Sequence, residues 1–287
     1  MTEAPRLPAL IDPLAIIAGD GVLPRLVAEE CRRVGRACHI VIFEGTEIDW
    51  ADKFPIIPAI FEKPGRLFRA LKKAGCSEVT MAGGMVRPKL NPLRFDIKGL
   101  RLAPRILAGL KRGDNDTLAM VTGIFEAEGF TITGAHDLLQ GLLIDAGIPT
   151  RAQPSAEDRA DAARAEEIVT ALGKLDVGQG AVVAQGLCLA TESSPGTDKM
   201  LQFVAETGAR YRPDPNGAKG VLMKAPKMGQ DWRVDLPAVG PKTMEMAAKA
   251  GLAGVVIQAG GVLVLGLEDT VARADELGLF LWARDPS

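Results

Sequence analysis

The sequence predicts an α/β protein of two domains. Three observations carry that reading. Strand and helix periods alternate through the first half, the composition shifts at 149–175, and the alternation restarts beyond it. The expected bounds are 1–148 for an N-terminal α/β domain, 149–175 for a linker and connecting helix, and 176–287 for a smaller C-terminal α/β domain with a mixed sheet.

The elements follow in order. "LAIIAG" (14–19) reads as a strand, and "LPRLVAEECRRVG" as a helix with basic residues in its last turn and Gly35 at its end. "ACHIVIFEG" is a second strand. "PGRLFRALKKAGC" is a helix with Leu67, Phe68, Leu71 and Ala74 on one face, and "SEVTMAGG" is a third strand ending in Gly83-Gly84. The two prolines of "MVRPKLNPLRFD" (85–96) mark a loop. "GDNDTLAMVTGIFEAEG" is a helix with acids at its start, and "FTITGAHDLL" a strand and turn. Such alternation implies a Rossmann-like parallel sheet with crossover helices.

The junction begins Pro- and Ser-rich and becomes an Ala-rich charged helix, with Ser155 and Asp158 spaced as a capping box. In the second half "GAVVAQGLCLATE" reads as a hairpin about Gln185-Gly186. "TDKMLQFVAETG" is a helix, "GVLMKAPK" a strand stopped by Pro226, and "VGPKTMEMAAKAGLAG" a helix begun by proline. "VVIQAGGVLVLG" reads as two strands and "LEDTVARADELGLFLWA" as a helix and a last strand.

Composition narrows the function classes. A net charge of −2 gives no reason to expect nucleic acid as a partner. Four cysteines without a C-x-x-C pair, and two histidines, argue against structural zinc and suit reduced, buried thiols. "MTEAPRLPALIDP" lacks the pattern of a cleavable signal, and no uninterrupted apolar stretch is long enough to span a membrane. A cytoplasmic location is expected, with contact at the inner-membrane surface left open.

Five motifs bear chemistry. Gly19-Asp20-Gly21 sits between a strand and a helix, where backbone can approach a phosphate, but G-x-G-x-x-G is missing. Glu44 follows the second strand about 20 residues on, where a ribose-binding acid often sits. In "RGDND", Asp114, Asn115 and Asp116 either supply oxygens for Mg²⁺ or cap a helix. His136-Asp137 is either an acid–base pair or a cap. Thr197 and Asp198 follow Gly196 at a helix start, suiting a phosphate or sugar, or simple capping.

The fifth, "KAPKMGQDWRVD", gathers Lys224, Lys227, Gln230, Asp231, Arg233 and Asp235. If Asp231–Asp235 is extended, both aspartates and the arginine share one face. Cations can clamp a pyrophosphate while carboxylates hold Mg²⁺ or orient water, although alternating charges also guard an edge strand.

Taken in order, "AIIAGDGVLPRLVAEE", "GDNDTLAMVTGIFEAEGFTITGAHDLL", "DVGQGAVVAQGLCLATESSPGTDKM" and "VLMKAPKMGQDWRVDLPAVGPKT" resemble the LpxI type of UDP-2,3-diacylglucosamine pyrophosphatase of the lipid A pathway. The resemblance runs from about residue 14 to the end. Two departures are Asn115, where the family usually has aspartate, and Met228, where it usually has proline.

The resemblance implies Mg²⁺-dependent hydrolysis of UDP-2,3-diacylglucosamine to UMP and lipid X, with substrate between two domains and attack at the glucosamine-side phosphorus. The expected catalytic residues are Asp231, Asp235, Lys224 and Arg233. Substrate is expected at Gly19, Asp20, Gly21, His136, Thr197, Asp198, Lys227 and Gln230, and the metal at Asp231, Asp235 and Asp114. A homodimer is left open. The alternatives are a nucleotide-dependent oxidoreductase and a non-catalytic sugar-nucleotide or lipid-binding protein.

Overall fold

A computed structural model describes residues 12–85, 87–111 and 113–286. Most of the segment read for a signal lies outside them, as do Val86 of the 85–96 loop and Arg112 of the "RGDND" motif. The chain divides into two compact units. The first takes the described residues up to 111 together with 119–139, and the second takes 113–118 and the chain from 140 onward.

In the first unit β1 (Leu14–Ala18), α1 (Leu23–Arg33), β2 (Cys38–Phe43), β3 (Ile56–Ala59), α2 (Pro64–Lys73) and β4 (Glu78–Ala82) are followed by α3 (Ile97–Gly109). Then come α4 (Asp114–Ala127), whose first turn clusters with the second unit, β5 (Thr131–Ile132) and α5 (Ala135–Leu138). The sheet is all parallel, in the order β3-β2-β1-β4-β5. Central β1, "LAIIA", is buried along its whole length, as a strand covered on both faces must be. β3, which the sequence reading passed over, carries Pro58 and stands at the sheet edge, where a missing N–H is tolerated.

The second unit holds α6 (Ala156–Lys174), β6 (Gly180–Ala184), β7 (Leu187–Thr191), α7 (Gly196–Tyr211), β8 (Val221–Lys224), β9 (Ala238–Val239), α8 (Pro241–Lys249), β10 (Gly254–Gln258), β11 (Leu263–Val264), α9 (Leu267–Leu277) and β12 (Phe280–Arg284). Its mixed sheet runs β12-β10-β8-β6-β7. The first three strands are parallel, while β6 lies antiparallel to β8 and β7 antiparallel to β6. A parallel pair, β9 and β11, stands apart.

Strand alternation sorts the core of the second unit into two layers. Val182, Leu222, Val255, Ile257 and Leu281 face α7, α8 and α9, meeting Leu201, Met244 and Ala274. Ala181, Val183, Met223, Val256 and Phe280 face α6, meeting Ala162, Ala165 and Val169. Each buried valine or leucine is worth roughly 1.5–3 kcal/mol over its exposed state.

Two domain expectations differ from the structure. The helix expected to be a connector is the covering layer of the second sheet, because Ala162, Ala165 and Val169 are buried against it. The compact units divide near 139, where the expected bound was 148. Leu142 is buried and its carbonyl accepts from Val264 N–H, and Gly147 pairs with Ala283, so the intervening stretch is stitched to the second unit. That unit therefore takes the larger share of the chain. The Ser155–Asp158 capping box forms in both directions. Among the described residues no helix is long and apolar enough to cross a membrane.

Candidate active site

In the first unit the Gly19-Asp20-Gly21 turn serves the backbone. Gly19 N–H donates to Ala82 O at 2.8 Å, Asp20 N–H to Gly84 O at 2.7 Å, and Gly84 N–H returns to Asp20 O at 3.0 Å. A Cβ on Gly19 would strike the Gly84 carbonyl, and one on Gly83 would strike that of Asp20. The glycines are there because two turns touch. The amides of Gly19 and Asp20 are thus already used between the two turns.

Beside this turn, at the carboxyl ends of β1, β2 and β4, lies a cavity of about 560 Å³, whose lining includes Asp20, Glu44, Thr46, Glu62, Lys89 and Arg94. Arg94 pairs with Glu44, and the buried Glu62 accepts from Asn91 N–H at 2.8 Å. A crevice at the carboxyl edge of a parallel sheet, where strand order reverses, is where such folds take ligands. His136 lies outside that lining, on α5. Its Nε2 is 3.6 Å from Asp137 Oδ1, while Asp137 Oδ2 caps the Gly134 amide at 3.3 Å.

In the second unit Lys224 ends β8 and is 4% exposed. Its Nζ donates to Thr197 Oγ1 at 2.7 Å and Ala238 O at 3.3 Å, and lies 3.8 Å from Glu192 Oε2. Glu192, a residue the sequence reading missed, is buried too, and its Oε2 has no hydrogen-bond partner among the described residues. Thr197 therefore meets Lys224 instead of capping α7, whose start has no side-chain cap, and Asp198 pairs with Lys242 at the surface. Ala225, next in sequence, joins the apolar core.

Past β8 the chain turns. Lys227 N–H donates to Gln230 Oε1 at 2.8 Å, Gln230 N–H answers to Lys227 O, and Gly229 takes φ +75° between them. Lys227 Nζ donates to Asp176 Oδ1 at 2.7 Å and lies 3.7 Å from Asp235 Oδ2. The other Asp176 oxygen accepts Asn115 N–H at 3.2 Å, at the first turn of α4. Asp176 is the second residue the sequence reading missed, although it heads one of the quoted motifs.

The segment Asp231–Asp235, expected to be extended, is a turn. Val234 and Asp235 N–H both donate to Asp231 O, and Asp231 Oδ1 accepts Arg233 N–H at 3.1 Å. Aspartate closes such turns by bonding backbone two residues on. The Arg233 guanidinium then grips both Asp231 oxygens, at 2.9 and 2.7 Å, which holds that carboxyl below its usual range. Asp231 is thus a clamp for Arg233.

Asp235 differs. Burial pushes its carboxyl above the usual aspartate range. Lys227 and Gln230 oppose this, and Asp114 and Asp176 add to it.

Among the described residues no three His, Cys, Asp or Glu side chains form a group suited to hold a metal ion. Mg²⁺ needs only one or two carboxylates when it shares phosphate oxygens, so the acids near Asp235 are the side chains to weigh. Asp235 senses the charges of Asp114 and Asp176, and the buried Asn115 Oδ1 has no hydrogen-bond partner among the described residues.

Two α/β units, one with a carboxyl-edge cavity and one with buried lysines among carboxylates, define a protein built to handle a phosphorylated ligand. The chain belongs to the LpxI family: the LpxI N-terminal domain matches residues 13–142 and the LpxI C-terminal domain matches 145–282. It is 40% identical over 273 residues to the UDP-2,3-diacylglucosamine pyrophosphatase LpxI of Caulobacter vibrioides, covering 95% of this chain and 98% of that protein.

Proposed function

We propose that the chain hydrolyses the pyrophosphate bond of UDP-2,3-diacylglucosamine, giving UMP and 2,3-diacylglucosamine 1-phosphate. The observation carrying this reading is the buried Lys224 and Lys227, set among Asp176, Glu192 and Asp235, in a chain that matches the family along almost its whole length. The relative's name supports the same substrate.

In this reading Lys224, Lys227 and Arg233 stabilise charge on the phosphoryl oxygens. Asp231 fixes the direction of the Arg233 guanidinium. Asp235, whose raised carboxyl makes it a better proton acceptor, orients water and takes its proton as oxygen bonds to the glucosamine-side phosphorus. The bond from that phosphorus to the bridging oxygen breaks, and UMP leaves with the bridging oxygen.

Asp114 and the Asn115 side-chain oxygen, beside Asp235, would hold Mg²⁺ together with phosphate oxygens. The ion would supply charge neutralisation on the pyrophosphate. Because the substrate carries two acyl chains, the reaction belongs at a membrane surface.

The test is UMP release from the diacyl substrate with and without EDTA, run in ¹⁸O-labelled water. Turnover abolished by EDTA, with label in the glucosamine product, is expected. No UMP release overturns the activity, turnover untouched by EDTA overturns the metal, and label in UMP overturns the site of attack.

A further inference from the structure

Helix α3 presents its apolar residues outward. Of its thirteen residues, only Gly99 and Gly109 are buried. Ile97 is 74% exposed, Leu100 58% and Leu107 49%, and Leu93 in the preceding turn is 94% exposed. At about 100° per residue, Ile97, Leu100, Pro104 and Leu107 fall in one arc, with Arg101 and Arg105 along its border. From Ile97 to Gly113 the sequence "IKGLRLAPRILAGLKRG" holds lysines and arginines but no acid. Asp96, just before it, turns its carboxylate to the Gly99 amide at 2.7 Å. A surface helix normally buries its apolar stripe, so this stripe wants another partner.

We propose that this face of α3, together with Leu93, lies on an anionic lipid bilayer surface. Charge complementarity selects the occupant. An exposed apolar stripe bordered by arginines, without carboxylates, matches the boundary between anionic headgroups and acyl chains. A second copy docked about a two-fold axis would set those arginines against themselves. Thirteen residues reach only about 20 Å, too short to cross a bilayer, so the helix lies in the surface plane. The inference deepens the membrane-surface part of the proposed function. It stands on binding alone, which needs no substrate.

The test is flotation of the full chain with vesicles of phosphatidylglycerol and phosphatidylethanolamine, against phosphatidylcholine alone. It compares wild type, Leu100→Glu with Leu107→Glu, and Arg101→Glu. These side chains are exposed, so the variants should keep the wild-type circular dichroism and Tm. Binding to anionic vesicles should be weakened by salt, and should fall about tenfold or more in the double variant. Hydrolysis of detergent-dispersed substrate should stay unchanged. The proposal is overturned if wild type does not float, if the double variant floats equally, or if light scattering finds a wild-type dimer that the double variant makes monomeric. An inactive chain whose flotation is lost on substitution would support this face while overturning the activity.

Discussion

Lys227 and Asp176, 51 residues apart in sequence, meet at 2.7 Å, and the same carboxylate receives the Asn115 amide. One aspartate thus ties the lysine loop to the first turn of α4. Removing it leaves a lysine only 7% exposed with the more distant Asp235, at 3.7 Å. Asp176→Ala should therefore cost about 2–5 kcal/mol, read by urea unfolding. Asp176 also takes φ +53°, which asparagine tolerates and alanine does not. Asp176→Asn should recover part of the loss, and equal Tm for the two variants would contradict the account.

Asp235 and Asp231 should separate by role. Asp235→Asn removes a proton acceptor that burial makes costly to ionise. It should abolish UMP release yet raise Tm at neutral pH. Asp231→Ala releases Arg233 and leaves Asp235 in place, so it should lower kcat by a smaller factor and cost stability. Retained turnover in Asp235→Asn would remove Asp235 from the mechanism.

Gly19→Ala should destabilise by about 1–3 kcal/mol or more, because its Cβ has nowhere to go but the Gly84 carbonyl. Gly21, at φ +97° with open space around it, should lose stability through backbone strain alone when replaced by alanine. Thermal unfolding checks both, and an unchanged Gly19→Ala protein would refute the close approach.

Glu78 supplies a pH test away from the site. Burial raises its carboxyl, but hydrogen bonds from Thr133 and Arg36, the latter at 2.5 Å, outweigh this and leave it below the usual value of 4.5. A lowered native value means the charged form is favoured in the fold. The stabilisation is complete above the unfolded value and is lost as pH falls through the native one. Glu78→Gln should cost about 1.5–3 kcal/mol at pH 7, and the gap to wild type should close as pH falls through the lowered native value.

The legible parts of the fold were those written in local chemistry. The Gln185-Gly186 hairpin, the Ser155–Asp158 box and the buried β1 all rest on neighbours in sequence. Helix α3 was hidden because Gly99, Pro104 and Gly109 break its propensity, and its apolar face is turned outward. Strand β3 was hidden by Pro58.

The site followed the same rule. Lys224, Lys227 and Asp235 announced themselves as one cluster, whereas Asp176 and Glu192 reach it only through the fold. The alternation of Asp231-Trp232-Arg233-Val234-Asp235 suggested an extended segment, but an aspartate can also close a turn on its own backbone. Period alone does not distinguish the two.

The reciprocal bridge between Asp20 and Gly84 has a bearing on affinity. Both residues line the first-unit cavity, and their backbones are knotted together before any ligand arrives. That wall is cast in advance. A ligand entering it spends no binding energy on freezing the two turns, so its ordering cost falls on the lining side chains. Recognition here should resemble a mould more than a closing hand, with tightness governed by how fast the guest departs.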